Sequence, residues 1–302
     1  MATEYLGIDI GGTNVKMGIV DAETGNITNF YSHDTGSWRK SGHFVKRLGD
    51  AIALQLKENP HVKKGGIGVP GLITRDRKSL IEITAIPEIN GVSVIPELEE
   101  RFEGRQFYLE NDANAAALGE YYFGEDGVPE DYIFVTLGTG VGGAAIIDKQ
   151  VFKGGGGNAM EPGHMPSKHG RVLERNIGKV ELLDLANGMR AEWKGDTTLV
   201  DDGSISTTGL VAAAAEGDKL ALAIFDEVGA ILGDGLVSMI RILDITTILI
   251  GGGLSASFEY IMPAVNRQLE YWLTPYYMKS LQIKRATLGN DAGLLGAASL
   301  CF

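Results

Sequence analysis

Asp9-Ile10-Gly11-Gly12-Thr13-Asn14 sets a carboxylate, two glycines and two side-chain donors within six residues, with Lys16 two positions further on. A glycine turn of this kind lets backbone N–H groups converge on an anion, because no Cβ blocks the approach and positive φ is open to it. Leu137-Gly138-Thr139-Gly140-Val141-Gly142-Gly143 has a similar composition. Either turn could be no more than the tight bend of a hairpin. Together, at matched positions in two similar segments, they read as two jaws around one polyphosphate. Asp9 in the first corresponds to Thr136 in the second, so only the first jaw offers a carboxylate, which could hold Mg²⁺ directly or through water. Lys16 is either a phosphate ligand or a solvated strand residue. Neither turn is a Gly-Lys-Ser/Thr P-loop or a Gly-x-Gly-x-x-Gly dinucleotide turn. A third cluster, Gly251-Gly252-Gly253, ends an apolar run. It suits either the close approach of adenine and its ribose or a sharp strand-to-helix connection.

Two further groups could do acid–base or hydrogen-bonding chemistry. Asn111-Asp112 follows the short apolar run Phe107-Tyr108-Leu109 and precedes an alanine-rich helical pattern over 113–121. That puts a carboxylate at the C-terminal end of a strand, where substrates meet α/β sheets. Asn111 or Asp112 would equally serve to cap the helix. Glu161-Pro162-Gly163-His164 lies in the glycine-rich segment 154–170, which reads as neither helix nor strand; a loop of that length is uncommon unless it works. One acceptor and one group able to donate or accept suit the adjacent hydroxyls of a sugar.

The elements that must position these residues are legible in outline. Residues 5–20 and 132–147 each read as a strand, a glycine turn and a second strand. Setting Ile8 over Val135 aligns the two without a gap, so that Gly11 meets Gly138 and Ile19-Val20 meets Ile146-Ile147. This predicts a duplicated domain. Phe44, Leu48, Ile52 and Leu56 give a helix over 43–56 one apolar face. Short strands are predicted at 64–69, running into Pro70-Gly71, at 106–109 and at 246–250, with a long helix over 218–243. Strands alternating with helices predict an α/β fold. The chain has 302 residues, about two domains' worth. With 27 Lys+Arg against 39 Asp+Glu its net charge is −12, the wrong sign for coating nucleic acid. The single cysteine, Cys301, cannot form an internal disulfide and points to a reducing compartment. No apolar run approaches the length of a membrane span, so a cytoplasmic protein without membrane contact is expected. Glycine is over-represented, 42 residues against an average share of ~7%.

In order along the chain, the first glycine turn, Glu110-Asn111-Asp112-Ala113-Asn114-Ala115-Ala116-Ala117, the second glycine turn, Glu161-Pro162-Gly163-His164-Met165 and Gly251-Gly252-Gly253 resemble the ROK family of bacterial sugar kinases and related repressors. The resemblance runs from residue 5 to the Ala292–Ala298 segment. It implies a duplicated ribonuclease-H-like fold, that of actin-like ATPases, with two domains around a cleft. Here these would be residues 1–115 and 116–290, with a C-terminal helix over 291–302 packing back on the first. It implies ATP and Mg²⁺ as cofactors and phosphorylation of a hexose, glucose first, at the 6-hydroxyl. Fructokinase, mannokinase, N-acetylmannosamine kinase and polyphosphate-dependent glucokinase are alternatives, and a sugar-sensing regulator is the non-enzyme alternative. Carried over residue by residue, Asp112 would be the general base. Asn111, Gly71, Glu161, His164 and Glu174 would bind the sugar. Gly11, Gly12, Thr13, Asn14, Lys16, Gly138, Thr139, Gly140, Gly252 and Gly253 would bind ATP, and Asp9 would hold Mg²⁺. A homodimer is implied as well. The family's repressors carry an added helix-turn-helix; here the first phosphate strand begins at residue 5, so an enzyme is expected.

Two departures stand out. Where many members carry a cysteine-rich insert that completes a zinc site, this chain reads Met165-Pro166-Ser167-Lys168-His169-Gly170-Arg171-Val172-Leu173-Glu174. His164 and His169 supply two ligands where structural zinc needs four, so no zinc is expected. The hexose-binding Asn usually found after the Val-Pro-Gly loop has two candidates here, Glu88 or Asn90.

Overall fold

The computed structural model describes residues 3–125 and 127–302. The chain forms two compact units. The first comprises Met1–Glu130, Ala144–Ala159 and Asn290–Phe302, the second Asp131–Gly143 and Met160–Gly289.

In chain order the first stretch carries β1 (Glu4–Ile10), β2 (Asn14–Asp21), β3 (Ile27–Asp34), α1 (Thr35–Lys40), α2 (Phe44–Glu58), β4 (Lys64–Val69), the small hairpin β5 (Leu72–Ile73) and β6 (Leu80–Glu82), α3 (Val94–Arg101), β7 (Gln106–Asn111) and α4 (Asp112–Phe123). There follow β8 (Tyr132–Leu137), β9 (Val141–Ile147), β10 (Gln150–Val151), α5 (Glu174–Ile177), α6 (Lys179–Glu192), α7 (Thr207–Ala215), α8 (Lys219–Leu243), β11 (Thr247–Gly251), α9 (Phe258–Trp272), α10 (Pro275–Met278), β12 (Gln282–Arg285) and α11 (Ala292–Ser299).

One five-stranded sheet has the order β3-β2-β1-β4-β7 and the other β10-β9-β8-β11-β12. These are the same order of sequential strands, the topological form of the duplication. Register carries the match further. In the first sheet Ile8 and Asp9 pair in parallel with Ile67 and Gly68; in the second, Val135 and Thr136 pair in parallel with Ile250 and Gly251. Ile8 and Val135 therefore hold equivalent places, as the gapless alignment of the hairpins requires.

The boundary expected at 115/116 would cut α4 in two. The observed one keeps that helix whole, because the C-terminal α11 packs on α4, β1 and β4, and α4 packs on β4. The approach is close enough to need glycine. A Cβ on Gly66 of β4 would run into the Ala297 carbonyl, and one on Gly119 of α4 would lie 2.5 Å from the Ala292 carbonyl oxygen. Residues 144–159 join the same unit, since Asn158 both accepts from Ile73 N–H (3.0 Å) and donates to its carbonyl (2.9 Å), lengthening the β5 edge by one side chain.

Asp218 caps α8 through Leu220 and Ala221 N–H and also accepts from Thr197 and Thr198. Burial works against its charge, but these bonds prevail and hold its carboxyl at about 2. The glycines within α8 do not break it: Gly229 and Gly233 let α9 approach the helix backbone. Cys301 is buried, which pushes its thiol up to about 12, outside the range of a nucleophile. Among the described residues no helix is long and apolar enough to cross a membrane.

Candidate active site

In the first unit the predicted residues gather at the C-terminal ends of three parallel strands. Asp9 of β1, Gly68 of β4 and Glu110 of β7 lie in one row across the sheet, and Asn111 pairs with Val69 just beyond. Two strand spacings separate Asp9 from the β7 end, roughly 10 Å. The turn between β1 and β2 is closed by Gly11 N–H to the Asn14 carbonyl (2.9 Å). It is fixed from outside by a residue that sequence reasoning missed, Thr35, which is fully buried. The Thr35 hydroxyl donates to the Gly11 carbonyl (2.7 Å) and its N–H to that of Thr13 (2.9 Å). Nothing in the local pattern marks Thr35, because its partner lies across the β2–β3 hairpin.

Asp9 and Lys16 face each other across the β1–β2 ladder, with Lys16 Nζ 3.9 Å from Asp9 Oδ2. The Lys16 ammonium also donates to the Asn290 carbonyl (2.6 Å), so it is an anchored cation rather than a waving one. Burial raises the Asp9 carboxyl above its ordinary range, and Lys16 works in the opposite direction. The Asp9 carboxylate rests against the first turn of α11, where a Cβ on Gly293 would lie 2.8 Å from Asp9 Cγ.

Asn111 does cap α4. Its Oδ1 accepts from Ala113 N–H (2.9 Å) and Asn114 N–H (3.2 Å), while its Nδ2 donates to the Gly71 carbonyl (3.2 Å). With both lone pairs of Oδ1 engaged, what Asn111 offers a ligand is its remaining amide hydrogen. The capping reading and the ligand reading are thus compatible. Gly71, at φ +92°, has no room for a side chain beside the Glu82 carbonyl. Asp112 is the first residue of α4, and its Oδ1 accepts from Ala113 N–H (2.8 Å). Glu88 is ion-paired with Arg39 of α1 (3.0 Å), and Asn90 Oδ1 accepts from Ile83 N–H (2.7 Å), which holds the local turn.

In the second unit Glu161, His164 and Glu174 come together. A single 3₁₀ turn over Pro162–His164 sets the first two, and its Pro162 and Gly163 are buried, with Pro162 lying against Gly143. Glu174 opens α5, and its Oε2 accepts from Val141 N–H (3.0 Å), placing the carboxylate over Gly140 of the second glycine turn. Burial raises the Glu161 carboxyl; His164 lowers it, and Glu174 raises it further. A carboxyl raised in the folded state favours folding while it is protonated and loses that contribution as pH rises through its folded value. Glu161→Gln is therefore expected to raise the melting temperature at about pH 7, with the gain vanishing below about pH 4, the ordinary range of a glutamate. Calorimetric scans at the two pH values would check this.

The insert without cysteines closes as a small hairpin. Pro166 bridges Val172, Ser167 N–H donates to the Arg171 carbonyl (2.7 Å), and Asn176 Nδ2 donates to that of Lys168 (2.9 Å). His169 occupies its tip at φ +61°.

The second glycine turn is closed by Gly138 N–H to the Gly140 carbonyl (2.9 Å), and α6 begins against it, Lys179 N–H donating to the Gly138 carbonyl (3.1 Å). Gly251–Gly253 makes the sharp strand-to-helix connection that was one of its two readings. Gly252, at φ +84°, packs its backbone on Leu137 and Thr136 while the chain turns through a 3₁₀ segment (Gly253–Ser257) into α9. A mostly apolar cavity of about 250 Å³ opens beside Gly253, lined by Leu182, Thr207, Thr208, Val211, Leu254 and neighbouring residues.

The family model described as ROK family matches residues 5–302. The chain belongs to the ROK family. The glucokinase of Streptomyces coelicolor is 31% identical, covering 98% of this chain and 96% of its own. A candidate sugar kinase from Cytophaga hutchinsonii superposes with a TM-score of 0.94 at 40% identity, covering 99% of each chain. A ROK glucokinase from Streptomyces griseus, solved in complex with glucose and AMPPNP, gives 0.78 at 29% identity over 98% of each. The fold is accordingly that of actin-like ATPases, with mixed α/β sheets in two domains.

Proposed function

We propose that this ROK protein is an ATP-dependent hexose kinase acting on the sugar 6-hydroxyl, with glucose as its first substrate. The observation that carries this is Asp112. It is a carboxylate at the junction between the C-terminal end of the parallel edge strand β7 and the start of α4, two residues beyond the row that β7 shares with Asp9, the second carboxylate, of the glycine hairpin. Phosphoryl transfer asks little covalent chemistry of a protein: a group to take the hydroxyl proton, dipoles and cations for the phosphates, and exact placement. Asp112 takes the proton. Asn111 donates its remaining amide hydrogen to the sugar, and Gly71 helps shape that side of the site. Glu161, His164 and Glu174 read the ring hydroxyls, the two carboxylates as acceptors.

The N–H groups of the turns at Gly11, Gly12, Thr13 and Asn14, and at Gly138, Thr139 and Gly140, hold the phosphates with Lys16. Gly253 borders the cavity of about 250 Å³, which we assign to the adenosine, with Gly252 turning the chain beside it; the nucleotide analogue bound by the Streptomyces griseus relative supports ATP as donor. Asp9 fits Mg²⁺, since one largely desolvated carboxylate at the glycine turn can offer an oxygen, directly or through water, to an ion that keeps several of its own waters. When bound, that ion supplies positive charge to the transferring phosphoryl group. A cytoplasmic homodimer completes the reading.

Sugar 6-phosphate formation across glucose, fructose, mannose and N-acetylmannosamine, each with ATP and with polyphosphate as donor, tests it. The highest kcat/KM is expected for glucose with ATP. No phosphorylated product from any pair would sink the proposal, and sedimentation at equilibrium tests the dimer.

A further inference from the structure

Directly behind Asp112 lies a charge cluster that the reaction scheme leaves unused. Glu110 is 2% exposed. Its Oε1 accepts from Asn111 N–H (3.0 Å) and from Asn114 Nδ2 (3.0 Å), so one oxygen grips the residue before Asp112 and a residue in the first turn after it. Its Oε2 faces two cations. Arg77 Nε lies 3.2 Å away as an ion pair without hydrogen-bond alignment, and Lys153 Nζ lies 3.7 Å away. Arg77 is itself mostly buried, and both of its Nη atoms lack a hydrogen-bond partner among the described residues.

Such an arrangement is a poor way to stabilise a fold. Desolvating each ion is costly, a buried pair repays that only with well-formed hydrogen bonds, and replacement by apolar residues is often neutral or better. Here the good hydrogen bonds are not between the ions. They run from Glu110 to the two groups that bracket Asp112. Arg77 adds a constraint of its own, because it sits at φ +58° in the β5–β6 turn, closed by its N–H to the Thr74 carbonyl (2.8 Å). The guanidinium is therefore delivered from a fixed point.

We propose that Glu110, held by Arg77 and Lys153, is a positioning residue: it fixes the end of β7 and the first turn of α4, and thereby the direction in which Asp112 presents its carboxylate. This rests on Asp112 being the base. Placement matters at this scale because a misplacement of about 1 Å can cost on the order of 10² in rate.

The test is a kinetic cycle on the full-length protein with Arg77→Met, Arg77→Lys, Asp112→Asn and the Arg77→Met/Asp112→Asn double variant. Arg77→Met is expected to lower kcat by about 10- to 100-fold with the hexose KM within about 3-fold, the pattern of a misplaced group rather than a lost ligand. Arg77→Lys restores a cation beside Glu110 and recovers most of the rate. In the Asp112→Asn background Arg77→Met should change the residual rate by less than about 2-fold, since a residue that acts through Asp112 has nothing left to act on. Unchanged kcat in Arg77→Met, or multiplicative losses in the double variant, overturns the inference while leaving Asp112 as base. An Asp112→Asn variant with full activity overturns the base assignment itself, and this inference with it. Should Arg77→Met fail to fold, Lys153→Gln at the half-exposed end of the cluster (48% exposed) replaces it in the same cycle with the same two outcomes.

Discussion

Asp112→Asn is expected to reduce kcat by about 10²–10⁴-fold, the usual contribution of a positioned general base, while leaving hexose affinity nearly unchanged. The substitution is close to isosteric, and an amide oxygen can accept from Ala113 N–H as the Asp112 carboxylate does at 2.8 Å. Asn111 still caps α4 through the same N–H and that of Asn114. The helix start therefore keeps its bonds. What disappears is the capacity to take a proton from the sugar hydroxyl as it attacks, and an amide has no substitute for that. Asn111, Glu161, His164 and Glu174, the residues assigned to the ring, are untouched. Isothermal titration with the sugar together with steady-state kinetics separates the two effects. A variant that binds and turns over like the parent would remove Asp112 from the chemistry. One that loses binding and turnover together would make it a sugar ligand instead.

How much of this was legible beforehand depends on the range of the interaction. The two glycine hairpins, the β7–α4 junction and the strand at Gly251 could be read locally, because turn chemistry and alternation are properties of neighbouring residues. The gapless alignment of Ile8 with Val135 went further and anticipated a register found in both sheets. Glu110, Arg77, Lys153 and Thr35 escaped. Glu110 stood in view inside the motif, but its partners lie 33 and 43 residues away, on a turn and on a loop that no periodicity connects to β7. Thr35 meets the glycine turn at 24 residues' separation. The glycine excess was only partly explained by ligand approach. Gly7, Gly66, Gly119 and Gly296 serve backbone contact within the first unit, which depends on which helix crosses which strand.

Gly296→Ala should destabilise the protein even though alanine is the better helix former, and Gly188→Ala should do the reverse. Both glycines lie inside helices, Gly296 in α11 and Gly188 in α6. By propensity alone each replacement gains about 1 kcal/mol. At Gly188 a Cβ meets nothing within 4 Å, so the propensity gain stands. At Gly296 it would fall on the Ala115 carbonyl and lie 3.0 Å from Gly119 N. Those atoms are backbone and have no rotamer to change, so α11 or α4 must move as a body. Overpacking of that kind costs about 1–3 kcal/mol and occasionally more, and with no side chain able to yield the upper end applies, so it exceeds the propensity gain. The same displacement would reach the chemistry. α4 begins with Asp112, and α11 holds Gly293 against the Asp9 carboxylate. Gly296→Ala should therefore lower both the melting temperature and kcat, whereas Gly188→Ala raises the first and leaves the second alone. Thermal unfolding and initial rates on the two variants decide it. Equal stabilisation of both would mean that the α4–α11 contact is looser than this packing, and that Asp9 and Asp112 are held in place by their strands alone.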